Sequence, residues 1–166
     1  MIVILDSSIL IGLGSIGRLA LLHDLFDEVI IPQAVADEVI DYGCDPHTSR
    51  QIEEAPWIKT VRVKNELAVR VLLHPFGIGE AEVIVLSQEL SGTDTILVGV
   101  DERLACEKLE NLGVDCVGIL GILLKAKQVG LIEQVRPEIE ALRRSKFAMS
   151  PTLVGIILDM AGEFAE

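Results

Sequence analysis

Aromatic residues are scarce: one tryptophan, one tyrosine and four phenylalanines make up 4% of the 166-residue chain. Trp57 is therefore the only large aromatic side chain available to stack on a nucleic-acid base. Basic residues are few as well, 14 against 26 acidic ones, for a formal charge of −12. That balance argues against a protein that coats duplex DNA through a broad basic face. It leaves room for a nuclease whose own site is acidic because it holds metal ions. Only three cysteines occur, Cys44, Cys106 and Cys116, and no two of them form a CxxC pair. The expectation is reduced, partly buried thiols rather than a disulfide framework or a thiolate zinc site.

Long apolar runs are also missing. VGILGILL at 117–124 is the longest, far short of the roughly 20 residues a membrane span needs. The start, MIVILD, meets an acid at Asp6 with no basic segment before it, so no secretory signal is read and a soluble, cytoplasmic domain is expected. Gly12, Gly14 and Gly17 lack the Gly-Lys-Ser/Thr ending of a phosphate loop. Asp6-Ser7-Ser8 lacks the second acid of an Asp-x-Asp phosphatase motif. His23, His47 and His74 are scattered as surface or turn residues, and no Ser–His–Asp set is visible.

What is present is aliphatic: half of the residues are hydrophobic, enough for one domain with a sizeable core. IVIL at 2–5, EVII at 28–31, TILVGV at 95–100 and VDCVG at 114–118 read as short buried strands, with an edge strand or extended connection over 57–63. Helices are predicted after Asp6, from Pro32, over 47–54, from about Gly79 and over 102–113. Three more fall in the C-terminal third, the last opened by Ser150 and Pro151. No element is assigned between Val63 and Pro75. Strands alternating with helices imply an α/β domain with a mainly parallel sheet. Such sheets bind ligands at the carboxyl ends of their strands, near a topological switch point.

Acids stand at those ends. Asp6 follows the first strand and Asp101 the TILVGV strand; Glu80 opens the helix before that strand, and Glu38 lies about a helical turn beyond EVII. Asp6 and Asp101 also precede helices, where Asp is a favoured N-cap, and Glu80 suits a helix start. Glu38 sits toward a helix C-terminus, where the dipole disfavours it. Two carboxylates about 5 Å apart repel by roughly 3 kcal/mol at an effective dielectric near 20, so a cluster of four calls for a cation. Oxygen ligands suit Mg²⁺ or Mn²⁺.

The strings VILDSSILI, IIPQAVADEVI, GIGEAEVIVLSQEL and LVGVDERLAC, in that order, resemble PIN-domain proteins, the fold of many VapC-type toxin ribonucleases. The tail GILGILLKAKQVGLIEQVRPEIEALRRSKFAMSP resembles one prokaryotic subfamily of them. The resemblance implies a single PIN-like domain over 1–166, an α/β/α sandwich with a C-terminal helical extension at about 133–166. It implies a metal site at Asp6, Glu38, Glu80 and Asp101, supported by Ser8, with Glu102 as a further candidate acid. It also implies Mg²⁺- or Mn²⁺-dependent cleavage of RNA to a 5′-phosphate and a 3′-hydroxyl, and an antitoxin as a candidate partner. Many family members carry Asp where this chain has Glu80. Glu82 points about 200° away from Glu80 on a helix, so only one of them faces the cleft, and the acid–Ala–x–x–Ile pattern selects Glu80.

Arg103, beside Asp101, is the first candidate for a phosphate contact, ahead of Lys125, Lys127 and the Arg143, Arg144 and Lys146 cluster. Sparsely charged helices such as VGIILDMAG point to a homodimer. The alternative reading is a PIN-fold binding or assembly module that has lost catalysis.

Overall fold

Val3, Ile4 and Leu5 are completely buried, as expected for a strand covered on both faces. They belong to β1 (Ile2–Leu5), the centre of a five-stranded sheet in the computed structural model, which describes residues 1–43, 45–92 and 94–164. The other strands are β2 (Glu28–Pro32), β3 (Ile58–Val61), β4 (Ile96–Gly99) and β5 (Asp115–Val117). Their order is β3-β2-β1-β4-β5, and every neighbouring pair is parallel. The chain winds outward from β1 to β3, crosses back over β1, and continues to β4 and β5. The switch point therefore lies between the carboxyl ends of β1 and β4.

Helices flank the sheet. α1 (Ser7–Ser15) and α2 (Ala20–Leu25) join β1 to β2, and α3 (Gln33–Glu38) runs into a single π-helical turn over Val39–Gly43. α4 (Pro46–Glu53) is capped by Asp45. α5 (Glu66–Leu72) and α6 (Ile78–Leu90) make the crossing, and α7 (Arg103–Asn111) connects β4 to β5. α8 (Ile119–Gln128), α9 (Arg136–Arg144) and α10 (Pro151–Met160) finish the chain. α6 packs against β1, β2 and β4, with Ala81, Val83, Ile84 and Leu86 almost fully buried.

Most elements match the sequence reading, and four departures have physical causes. α5 went unread because its apolar residues do not mark a buried face: Leu67 and Val71 are both 71% exposed, and Val69 alone is buried. Pro32 ends β2 instead of entering the first turn of α3, and the α3 amide of Ala34 donates to Glu82 Oε2 at 2.8 Å in place of a local cap. Asp101 does not cap α7; Glu102 does, its Oε2 accepting from the Ala105 amide at 2.7 Å. Finally, Cys106 and Cys116 are joined as a disulfide, which corrects the expectation of free thiols. The return from α7 into β5 sets their Cα atoms 5.8 Å apart, a proximity that a ten-residue separation does not reveal. Cys44 lies outside the described residues.

The C-terminal segment is tied down by one carboxylate. Glu163 accepts from Lys127 Nζ at 2.7 Å, from the Val135 amide at 2.7 Å and from the Arg136 amide at 2.8 Å, closing the start of α9. On the same helix the buried Glu138 pairs with Arg18 at 2.6 Å. Among the described residues no helix is long and apolar enough to cross a membrane.

Candidate metal centre

Parallel pairing fixes where the first acids fall. Leu5 pairs with Gly99, and the Asp6 amide donates to the Gly99 carbonyl at 3.0 Å, so Asp6 and Asp101 leave the sheet side by side at the switch point. Asp6 is 5% exposed. It caps α1, and its Oδ1 takes both the Ile9 amide at 3.3 Å and the Ser8 hydroxyl at 2.7 Å, leaving Oδ2 outside these two bonds. Capping thus occupies one oxygen of the side chain and does not commit the other.

Asp6, Ser7, Glu38, Gly77, Ile78, Gly79 and Glu80 line a cavity of about 130 Å³. Glu38 reaches it because residue 79 is glycine: a Cβ there would stand 2.9 Å from Glu38 Oε2. Glu80 reaches back to the helix N-cap, its Oε2 accepting from the Gly77 amide at 3.0 Å. Glu82 is turned away onto Ala34, which agrees with the choice of Glu80 as the acid facing the cleft. Three of the four candidate acids therefore share one cavity.

Asp101 does not line that cavity. Its Oδ1 accepts from the Ile119 amide at 3.1 Å, at the start of α8, across 18 residues of sequence. A Cβ at Gly118 would lie 2.5 Å from the same oxygen, so this glycine lets the carboxyl tuck against the backbone. The residue as a whole is exposed, yet this tucked carboxyl loses enough water for burial to raise its pKa above the usual carboxylate value. The oxygens of the four acids do not draw into one tight set. Among the described residues, the group of three or more ligand atoms within 4.8 Å of one another is Cys106, Glu110 and Cys116, not these acids.

Electrostatics nevertheless couples three of them, Asp6, Glu80 and Asp101. Burial pushes Asp6 up from 3.8 to about 7; the Ser8 hydroxyl and Ile9 amide pull it down, and the charges of Asp101 and Glu80 push it up again. An acid this buried, with negative neighbours and no cationic side chain among its influences, is destabilised when ionised. A hard divalent cation with oxygen ligands fits such a donor set and would relieve it.

The supporting candidates divide. Ser8 donates its hydroxyl to Asp6 Oδ1. Glu102 caps α7 through Oε2 and does not line the cavity that Asp6, Glu38 and Glu80 share. Arg103 is exposed and pairs with Glu107 at 2.7 Å on the same helix. Lys127 is held by Glu163 and the Ala161 carbonyl, and Arg143 by Glu140 at 2.7 Å. Trp57 packs partly against the core, edge-on to His23. Sequence reasoning missed Gly77, Gly79 and Gly118 as site residues; the alternation Gly77-Ile78-Gly79 just before an acid was the available signal. A larger cavity of about 600 Å³ lies between α5, α6 and α7, lined mainly by apolar residues such as Leu67, Val71 and Leu112. It lacks the clustered acids, so volume and chemistry point to different places, and chemistry locates the candidate centre.

A family model described as a PIN domain (DUF3368) matches residues 2–163. Neither the curated proteins nor the solved structures contain a significant match.

Proposed function

The chain belongs to the PIN-domain family, a nuclease-type fold, and from that premise we propose that it is a Mg²⁺- or Mn²⁺-dependent endoribonuclease. The observation that carries the reading is Asp6: a buried acid at the switch point, raised to about 7, whose charged influences are Asp101 and Glu80. Asp6, Glu38, Glu80 and Asp101 would hold the ion, directly or through waters. A divalent ion there supplies positive charge that activates water and offsets the charge developing on a phosphodiester. Ser8 fixes the Asp6 carboxyl through Oδ1. The Gly77 amide holds Glu80 against the cavity, and the Ile119 amide holds Asp101. Asp6 must surrender the proton it carries near neutrality before it can act as a ligand. Arg103 is the proposed phosphate contact, because an exposed pair such as Arg103–Glu107 is worth little and opens readily. The toxin half of a toxin–antitoxin pair is the finer proposal. Self-association is a further one, suggested by the outward-facing Leu153, Ile156 and Met160 of α10.

Calorimetric titration of Mn²⁺ into wild type and Asp6→Asn, with RNA cleavage measured on the same samples, tests this reading. Loss of both binding and metal-dependent cleavage in the variant is expected; cleavage that survives Asp6→Asn would sink it. The second reading, a PIN-fold module without catalysis, is favoured by one observation. Glu80 and Asp101 each commit an oxygen to a backbone amide. It predicts no metal binding in the wild type.

A further inference from the structure

Cys106 and Cys116 lie outside the acidic centre and outside the proposed hydrolysis. Cys106 is in the second turn of α7, Cys116 in the middle of β5, and their Cα atoms are 5.8 Å apart, inside the window that a disulfide spans without moving backbone. Both residues are half-buried, so a small reagent can approach them, and accessible bridges are the exchangeable ones. What they join is mechanically weak. β5 has three residues and is paired on one side only, by β4, with Cys116 opposite Val98. Its approach is the turn at Gly113, which takes the left-handed conformation at φ +76°. Beyond it the chain enters Gly118 and Ile119, the residues against which Asp101 rests.

We propose that Cys106 and Cys116 form a reversible dithiol–disulfide site that exchanges with small-molecule disulfides and fastens the edge strand β5 to α7. In the oxidising direction one cysteine thiolate attacks a sulfur of the small disulfide RSSR, breaking its S–S bond and releasing RS⁻. The second cysteine thiolate attacks the mixed disulfide, forms the Cys106–Cys116 bond and releases the second RS⁻. Two electrons pass to RSSR, and the two cysteine protons end on two RSH. Glu110, one turn beyond Cys106 with Oε1 3.9 Å from its sulfur, puts a negative charge beside the site and opposes accumulation of the free thiolate. The same three residues could hold a soft divalent ion only with both thiols free, which makes metal capture the competing outcome.

The test is independent of the hydrolytic reading. Full-length protein is reduced, desalted, equilibrated natively over a series of oxidised-to-reduced glutathione ratios, and quenched by thiol alkylation before peptide mapping. Two of the three thiols should become protected. The cross-linked peptides should contain Cys106 and Cys116, and excess reduced glutathione should reopen the bridge. Cys44→Ser should leave the behaviour intact and Cys106→Ser should abolish it. The oxidised form should melt about 5–10 °C above the reduced form, from closure of a ten-residue loop. Three alkylatable thiols at every ratio, a bridge through Cys44, or a bridge that reduced glutathione cannot open would each overturn the proposal. So would a one-to-one zinc complex of the reduced protein, titrated with zinc alone, that withstands oxidised glutathione.

Discussion

Two carboxylates in this chain, the buried Asp6 and the half-buried Glu163, have opposite fates. Glu163 is half-buried, and that loss of water alone would raise it, yet Lys127 and the amides of Val135 and Arg136 hold it below the usual range. Asp6 receives a hydroxyl and one amide, faces Asp101 and Glu80, and is driven up to about 7. Loss of water raises both, more so for the deeper Asp6, and the sign of the neighbouring charge decides the direction of each. A carboxylate with a cation and amides around it is a finished latch. One with further acids around it is held in a costly state, and such states cluster at functional sites.

The comparison is broken most sharply by removing each charge. Glu163→Gln should destabilise by about 2–3 kcal/mol, because it leaves the Lys127 ammonium without its negatively charged partner, bonded only to the neutral Ala161 carbonyl and the new amide. Asp6→Asn should instead stabilise the metal-free protein at pH 8, by a few kcal/mol, since a raised pKa is a cost of ionising the folded state. Urea melts of both variants beside wild type test the opposite signs.

The pH dependence sharpens it further. For Asp6 the folded pKa lies above the unfolded one, so its share of stability is fully present below about 3.8 and is lost as pH rises through about 7. For Glu163 the folded value is depressed, so its share is present above the ordinary carboxylate range and is lost as pH falls through the lowered value. The stabilising effect of Asp6→Asn should therefore shrink between pH 8 and pH 5, while the loss in Glu163→Gln should persist. Under the metal-centre proposal, saturating Mn²⁺ should also erase the advantage of Asp6→Asn at pH 8, because the ion binds the charged form of Asp6.

Smaller effects separate ligands from caps. Ser8→Ala removes the donor that orients Asp6 and should weaken Mn²⁺ binding about tenfold by calorimetry. Glu102→Ala should cost about 1 kcal/mol through loss of the α7 cap and leave Mn²⁺ affinity unchanged. Reduced affinity in Glu102→Ala would return that residue to the site.

Much of the architecture was legible because the signals are local. IVIL, EVII and ILVG are runs that only a doubly covered strand accommodates, and an acid directly after a strand falls on the rim whatever the rest of the chain does. Helix geometry alone allowed only one of Glu80 and Glu82 to face the cleft, and the acid–Ala–x–x–Ile pattern of the resemblance chose Glu80. α5 was not legible, since its exposed Leu67 and Val71 give no inward pattern.

The sequence by itself determined the alternation of strands and helices, the parallel sheet, and the rim on which Asp6, Glu80 and Asp101 stand, because chain connectivity and side-chain periodicity act over a few residues. Tertiary structure alone decided which oxygen serves which donor. Asp101 reaches the Ile119 amide, Glu82 the Ala34 amide and Glu163 the start of α9, while Cys106 meets Cys116. Each of these partners lies many residues away in sequence. No local pattern encodes their approach; it follows from how the helices pack on the sheet. The same packing removes water from Asp6 and leaves it among other negative charges, which turns an ordinary helix cap into the centre of the candidate site.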